Sequence, residues 1–138
     1  LGIATEITLK ILKTPETICV VLADFTNVES AGQAVADIIS SGVIPAGMEI
    51  MDNFCINAVE DTVKTNCYPR DAAAILLVEL DGLSVEVAAY KEKVAQICRN
   101  NGSREITTAN DLETRLKRGN NPLETLQIKA IELCQLFN

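Results

Sequence analysis

The sequence predicts an α+β fold in which one antiparallel four-stranded sheet carries amphipathic helices on one face. Two observations lead to this prediction. After residue 15, apolar runs of strand and helix periodicity alternate in the order strand, helix, strand, helix, strand, helix, strand. Each predicted helix shows a single apolar stripe, so it needs one sheet face to bury that stripe. At 138 residues the chain has the size of one domain.

The first strand and helix of the series are marked by composition and by end signals. Thr17 to Phe25 is rich in β-branched and apolar residues, which is typical of a strand inside a sheet. Thr26 and Glu29 have the spacing of a capping box and predict the start of a helix over Val28 to Ser41. Gly42 predicts the left-handed residue that ends this helix.

The middle of the chain contributes two more strands and a helix between them. A short strand is predicted over Pro45 to Met51, and Asp52 is placed to cap a helix over Asn53 to Lys64. Loop residues follow, and Ala72 to Leu80 is the most apolar strand of the chain. This strand is expected to end in a turn at Asp81 and Gly82.

The last part of the chain predicts a long helix, a short strand and further helices. The spacing of apolar residues predicts a helix over Leu83 to Asn100, followed by a strand over Arg104 to Thr108. Asn110 and Glu113 are placed to cap another helix. Pro122 to Asn138 has an apolar stripe and predicts a C-terminal helical tail that covers exposed core.

This element order fits a ferredoxin-like, split β-α-β sheet with an extra helix between its second and third strands. The alternative is a doubly wound parallel sheet. That fold would place helices on both faces and usually has a Gly-rich first crossover, which the sequence lacks.

The residues before the series form a separate apolar run. Apolar side chains occupy nearly every second position, and polar ones lie between them, so the run predicts a half-buried strand that Pro15 ends. Its apolar members are Ile3, Ile7, Leu9 and Ile11. The chain begins inside this predicted strand, and we therefore expect it to be a fragment or an excised domain.

Charge and hydropathy exclude two classes of partner. Twelve Lys and Arg against nineteen Asp and Glu give a net charge of −7, which repels a phosphate backbone, so nucleic acid is not an expected partner. The longest apolar stretch, Ala72 to Val78, is far shorter than the roughly 20 residues of a membrane-spanning helix. No membrane span is expected.

Histidine is absent, and this removes several kinds of active site from consideration. This chain alone has no histidine for a nucleophile–histidine pair, a general base, or a zinc or haem ligand. The five cysteines include no C-x-x-C pair, which favours a reducing compartment and hence a cytoplasmic protein. Each cysteine is predicted to be a small buried apolar residue.

Candidate charged sites are few, and each has a structural alternative. No phosphate-binding loop, nucleophile elbow or calcium loop is present, and we expect no metal site. Two pairs of carboxylates could bind magnesium, but their positions are more typical of a helix cap, an exposed strand residue and a turn. One cluster of basic side chains could bind the carboxylate of a ligand, but such a cluster is more typical of the solvated last turn of a helix. These groups are Glu49 with Asp52, Glu79 with Asp81, and Arg115, Lys117 and Arg118.

Three collinear runs resemble one known family. Leu1 to Lys10 (LGIATEITLK) is similar to the stretch L-G-I-x-T-E-x-T-x-K/R. Ser41 to Asn53 resembles G-I-x-P-x-x-x-E-x-M-D-N, and Ala74 to Gly82 resembles I-L-L-x-E-L-D-G. These stretches occur in FAD-linked oxidases of the glycolate oxidase and D-lactate dehydrogenase type. The resemblance covers residues 1 to about 119.

The resemblance implies a division of the chain and a parent function. Residues 1–14 would be the last strand of a flavin domain, 15–119 a ferredoxin-like cap or substrate subdomain, and 120–138 a helical tail foreign to the family. The parent chemistry would be FAD-dependent oxidation of a 2-hydroxy acid. Gly2 and Ile3 would be remnants of the FAD site.

Departures from the family predict that this chain is inactive alone. Asn120 and Asn121 stand where the family continues into G-R-K, and the family's histidine segments are missing. We therefore expect a cap-domain fragment with no catalytic residue and no bound FAD of its own, whose hydroxy-acid substrate belongs to the full-length parent. The alternative is a non-enzymatic ferredoxin-like module that binds a small ligand or forms a homodimer.

Overall fold

The computed structural model describes residues 2, 3, 5–9, 11, 13–63 and 68–109 and places four strands and three helices among them. In chain order these are β1 (Thr17–Phe25), α1 (Val28–Ser40), β2 (Gly47–Asp52), α2 (Asn53–Val63), β3 (Ala74–Gly82), α3 (Ser84–Asn100) and β4 (Ile106–Ala109). Every element predicted between residues 17 and 108 is present, with ends shifted by up to two residues.

The strands form one sheet in the order β2-β3-β1-β4, and all neighbours are antiparallel. α1 connects β1 to β2 along the chain, but these two strands are not neighbours in the sheet, because β3 lies between them. In the centre Leu22 pairs with Leu77, while Glu49 and Thr107 flank this pair on the outer strands. This is the ferredoxin-like order, so the antiparallel prediction is confirmed and the parallel alternative is wrong.

The larger core lies between the sheet and the two helices α1 and α3. Alternate residues of β1 and β3 face these helices, since side chains of a strand point to opposite faces in turn. From the helices, Ala34 and Ile38 of α1 and Val94 and Cys98 of α3 are fully buried against them. The prediction that these two helices share one face is confirmed.

The remaining helix, α2, packs on the opposite face of the sheet and forms a second core. Ile56 and Val59 of α2 contact the other set of β3 side chains, Ile75 and Leu77. The prediction of helices on one face therefore holds for α1 and α3 but is wrong for α2. The position of α2 also explains why β3 is apolar at every position from Ala74 to Val78, because both of its faces are covered.

The helix ends confirm two predicted signals and correct a third. Gly42 adopts φ +85° after α1, and Asp52 Oδ1 accepts a hydrogen bond from Cys55 N at 2.8 Å at the start of α2. The N-cap of α1, however, is Asn27, whose side chain accepts from Ser30 N at 2.8 Å, so the prediction of Thr26 is wrong. Asn is at least as good an N-cap as Thr, and α1 begins at Val28, one residue later than a cap at Thr26 would place it.

The predicted opening strand is also wrong for the residues the structure describes. The side chains of Ile3, Ile7, Leu9 and Ile11 are between 71% and 92% exposed, and none of the described residues before Thr17 lies in a strand. Alternating apolar residues produce a strand only where a neighbouring strand supplies hydrogen bonds and an apolar surface. No described strand lies beside this run.

Several predictions fall on residues outside the described part. These are the helix capped by Asn110 and Glu113, the basic cluster Arg115, Lys117 and Arg118, and the tail over Pro122 to Asn138. The division of the chain at residues 14 and 119 likewise stays a prediction. Among the described helices, none combines the length and hydropathy needed to cross a bilayer.

Replacing Val94 tests the larger core. Val94 has no exposed surface, so Val94→Asp buries an unpaired charge, and we expect the free energy of unfolding to fall by about 3 kcal/mol or more. Val85 on the same helix is 82% exposed and provides the control, since Val85→Asp should cost less than about 1 kcal/mol. Urea denaturation of both variants measures the difference, and equal losses would contradict this core.

Candidate functional site

A charged cluster joins three segments at one end of the sheet. β1 ends there, and β3 and β4 begin there, because both pair antiparallel with β1. Asp24 comes from the end of β1, Asp71 from the loop before β3, and Arg104 from the loop before β4. Arg104 bridges the two carboxylates. We call these three residues the Arg104 cluster.

Asp24 is the buried member of the Arg104 cluster, with 4% of its surface exposed. Its Oδ2 accepts from Arg104 Nε at 2.8 Å, and its Oδ1 accepts from Glu105 N at 2.7 Å. The backbones of Asp24, Arg104 and Glu105 continue the β1–β4 hydrogen bonds beyond the strand. A buried carboxylate is costly without partners, and here donors satisfy both oxygens.

Asp71 is the exposed member and binds Arg104 in a two-pronged arrangement. Arg104 Nη1 donates to Asp71 Oδ2 at 2.8 Å, and Nη2 donates to Oδ1 at 3.3 Å. This hydrogen bonding, with the positive charge of Arg104, holds the pKa of Asp71 below its usual value. The hydrogen bonds to Asp71 and, to a smaller extent, to Asp24 raise the pKa of Arg104. The guanidinium therefore stays charged throughout the physiological range.

The same loop is held to α2 by a second group of polar contacts. Asn53 Nδ2 donates to the carbonyl oxygens of Arg70 and Ala72 at 2.8 and 2.7 Å. Arg70 Nη1 donates to Asp61 at 2.8 Å. In the interior, Tyr68 N donates at 3.0 Å to the fully buried carboxylate of Glu60. The described part of this loop, from Tyr68 to Ala72, is thus held to α2.

These contacts give a structural role to the M-D-N run that carried part of the resemblance. Asp52 caps α2, and Asn53 holds the loop that leads into β3. The two runs over Ser41 to Asn53 and Ala74 to Gly82 meet as the neighbouring strands β2 and β3. Two of the three runs that carry the resemblance therefore lie side by side in the sheet.

The Arg104 cluster is suited to holding strands in place and not to catalysis. Its guanidinium donates to both neighbouring carboxylates, so its charge is already matched by groups of the chain. Sequence reasoning missed the cluster. The sequence pattern predicts Arg104 only as the first residue of a strand, and Asp24 lies 80 residues away, so only the β1–β4 register brings them together.

The structure does not bring the predicted carboxylate pairs together as a metal site. Glu49 and Asp52 are three residues apart on β2, so their side chains point to opposite faces. Glu79 and Asp81 share a face, but Asp81 lies exposed near the strand end. Within the described ranges, no group of three or more acidic, cysteine or histidine residues could hold a metal ion.

The described cysteines follow the prediction in two cases out of three. Cys19 and Cys98 are buried in the larger core, and burial raises the pKa of each thiol, that of Cys98 to about 11. Cys55 is exposed on the first turn of α2, so its predicted burial is wrong.

The two predicted flavin-site residues lie outside the folded elements. The side chain of Ile3 is 92% exposed, and a Cβ placed on Gly2 would meet no described atom within 4 Å. A phosphate cradle needs backbone amides converging on one point, usually at a helix start. The role of Gly2 and Ile3 in a flavin site stays a prediction.

Comparison with known proteins identifies the family. Residues 14–121 match the family model described as FAD linked oxidases, C-terminal domain. This match covers more than half of the chain, which therefore belongs to that family.

The individual relatives are an oxidase subunit and a probable dehydrogenase, and each is much longer than this chain. The chain is 45% identical over 117 residues to glycolate oxidase subunit GlcD of Escherichia coli (strain K12), covering 85% of this chain and 23% of that protein. It is 38% identical over 109 residues to GlcD of Bacillus subtilis (strain 168), a match that covers 79% of this chain and 23% of that protein. It is 30% identical over 115 residues to a probable mitochondrial D-lactate dehydrogenase of Danio rerio, a match that covers 83% of this chain and 22% of that protein.

The chain thus spans about a quarter of the length of the relatives it matches. Among solved structures, alkyldihydroxyacetonephosphate synthase superposes with a TM-score of 0.59 at 16% identity, covering 76% of this chain and 23% of that one. At this identity the likeness shows the fold alone.

Acid titration tests the Arg104 cluster. A carboxyl whose pKa is lower in the folded than in the unfolded chain stabilises the fold above its unfolded pKa of about 3.9. That contribution is lost as pH falls through the lower folded pKa. We therefore expect Asp71→Asn to be less stable than the natural chain near neutral pH, and the gap to shrink as the pH is lowered below about 4.

Urea denaturation at a series of pH values measures this gap. The control is Asp81→Asn, which removes an exposed carboxylate that forms no ion pair with any described residue. A gap between the natural chain and Asp71→Asn that stays constant with pH would contradict the role of the Arg104 cluster.

Proposed function

We propose that this chain is the cap-domain part of a flavin-dependent 2-hydroxy acid dehydrogenase of the glycolate or D-lactate type. One observation carries the proposal: 45% identity to a glycolate oxidase subunit along 85% of the chain. The matched family segment, residues 14–121, contains the four-stranded sheet. The division into a flavin-domain strand, a cap subdomain and a tail is part of the same proposal.

In this proposal the chain supplies a rigid wall and no reacting group. Its four-stranded sheet is covered on both faces, and the Arg104 cluster fixes the end where β1, β3 and β4 meet. The flavin, which would accept hydride from the α-carbon of the hydroxy acid, would be held mainly by the remainder of a longer polypeptide. Gly2 and Ile3 would contribute only the edge of that site. The chain alone is proposed to be inactive.

A cytoplasmic location belongs to the same proposal. It is supported by five cysteines with no C-x-x-C spacing, which is typical of chains from reducing compartments.

A second candidate function is homodimerisation through the edge of the sheet. β2 is an edge strand, and Ile50 on it is 41% exposed. Two further large apolar side chains adjoin this edge, with Ile44 at 89% and Phe54 at 70% exposed. Such an edge can add a strand from a second copy. Asn53 N donates to Ala73 O, on the side of β3. Because the amides of a strand point alternately to its two sides, those of Met48, Ile50 and Asp52 point away from β3, toward the open edge.

A chimera tests the proposed enzymatic role. Residues 15–119 of this chain, the proposed cap subdomain, should replace the matching segment of the E. coli glycolate oxidase subunit GlcD without loss of bound flavin or of glycolate oxidation. Flavin absorbance near roughly 450 nm and a glycolate-dependent reduction assay measure the two properties. The same chimera carrying Val94→Asp is the control and should lose both, because the buried charge unfolds the inserted segment. The isolated chain should remain colourless after incubation with FAD.

Two results would contradict this role. One is a folded chimera that holds flavin but does not oxidise glycolate or D-lactate. The other is stoichiometric FAD binding by the isolated chain, since that would place the flavin site within these residues.

Sedimentation tests the homodimer. If β2 pairs with β2 of a second copy around Ile50, the chain sediments as a dimer, and Ile50→Lys shifts it to monomer by placing two like charges together. Val85→Lys is the matched control, since Val85 is exposed on α3, which packs mainly on the central strands β1 and β3. A natural chain that stays monomeric over a wide concentration range would exclude this candidate.

A further inference from the structure

The helix α2 covers its face of the sheet unevenly. It packs mainly on β2 and β3, where Met51, Ile75 and Leu77 are buried beneath it. β1 lies inside the sheet, between β3 and β4, yet its three apolar residues on this face are only half-buried. On the opposite face, alternate residues of β1 such as Val21 are fully buried. The three half-buried residues are Ile18, Val20 and Leu22, and we call them the β1 stripe.

The uneven cover follows from the length and the position of α2. Its 11 residues extend about 16 Å, whereas the nine residues of β1 extend about 30 Å. The apolar contacts of α2 lie toward the end of the sheet where β3 begins. Leu22 pairs with Leu77 of the smaller core, while Ile18 pairs with Asp81 at the far end of β3. The β1 stripe therefore leaves apolar area inside the sheet that a further element would stabilise by covering.

The described part of the chain ends beside the β1 stripe. Ala109, the last residue of β4, pairs with Val20. Residues 110–138 follow directly and lie outside the described residues. They begin about one strand spacing, or 5 Å, from β1. Even in helical form residues 110–121 span about 18 Å, whereas the β1 stripe is about 14 Å long. The tail over residues 122–138 can therefore reach either end of the stripe.

The sequence of the tail has the apolar side chains that such a cover needs. Their spacing of i, i+3, i+7, i+10 and i+14 places them on one side of the predicted helix. A helix over residues 122–138 would be about 25 Å long, close to the length of β1. Its apolar side is formed by Leu123, Leu126, Ala130, Leu133 and Phe137.

Carboxylates beside the β1 stripe favour the tail over a second copy of the chain. Glu79 and Asp81 of β3 lie directly opposite residues of the stripe, so they share its face. Two copies docked through this face would present the same carboxylates from both sides, and like charges disfavour such a contact. The residues that lead to the tail instead include the basic cluster Arg115, Lys117 and Arg118, which has the opposite charge.

From these observations we propose that the tail packs as a helix across the β1 stripe, beside α2, and completes the cover of this face. Its apolar side would contact Ile18, Val20 and Leu22, and the basic cluster would lie near Glu79 and Asp81. The family match ends at residue 121, so the proposal gives the residues beyond it a structural role. It concerns this chain alone and does not depend on the proposed flavin chemistry.

Methyl NMR of the natural 138-residue chain tests the contact directly. With the methyl groups of Ile, Leu and Val labelled, we expect nuclear Overhauser effects between Leu126 or Leu133 of the tail and Val20 or Leu22 of the β1 stripe. A mixture of two differently labelled samples distinguishes contacts within one chain from contacts between copies. Contacts that occur only between copies, contacts of the tail with another surface, or no contacts at all would overturn the proposal.

Two double variants of the tail test whether its apolar side makes the contact. Leu126→Asp with Leu133→Asp places two carboxylates on the apolar side of the predicted helix. The matched control, Thr125→Asp with Gln135→Asp, places two carboxylates on the opposite side. Both variants change the net charge equally, and neither changes a residue of the sheet.

A soluble paramagnetic probe then reports the exposure of each methyl group. Val21, which is fully buried, and Val85, which is 82% exposed, are the internal references. In the natural chain and in the control, the relaxation rate of the Val20 methyls should lie close to that of Val21. In the apolar-side variant it should shift toward that of Val85, while Val21 stays protected because the sheet remains folded. Equal Val20 rates in the natural chain and the apolar-side variant, or equal shifts in both variants, would refute the contact.

Discussion

The pairing of β1 with β3 is the interaction on which the rest of the structure depends. All nine residues of β1 are in register with β3, from Thr17 opposite Gly82 to Phe25 opposite Ala74. β2 reaches the sheet only through β3, and β4 only through β1. Both cores include side chains from the central strands, because alternate residues of each strand face opposite helices. The two outer strands and all three helices are thus attached to one pair of strands.

The two faces of the sheet serve different purposes. The face under α1 and α3 is mainly apolar and provides the bulk of the buried surface, which stabilises by about 25 cal/mol per Å². The face under α2 combines a smaller core with polar contacts that fix the loop before β3. Arg104 joins this loop to β1 and β4. Hydrophobic burial therefore stabilises the fold, and directional contacts determine where its loops lie.

Local signals in the sequence are sufficient for most elements but not for their long-range arrangement. β1 matches its predicted bounds because a continuous β-branched run is decisive in itself, and Gly42 marks the end of α1 because few other residues adopt positive φ. An apolar stripe shows that α2 is amphipathic but does not tell which sheet face it covers. The Arg104 cluster depends on the register of β1 with β3 and β4, which single-sequence patterns do not specify.

The strand order also has a consequence for how this polypeptide acquires its structure during synthesis. β1 and β2 are not neighbours, so neither finds a hydrogen-bonding partner until β3 has left the ribosome. The paired residues of β1 and β3 are roughly 50 to 65 positions apart in the chain, a separation typical of slow, non-local folding. Until then the apolar strand Thr17–Phe25 remains exposed. Nascent chains stalled before residue 74 should therefore be substrates for chaperones that bind extended apolar segments.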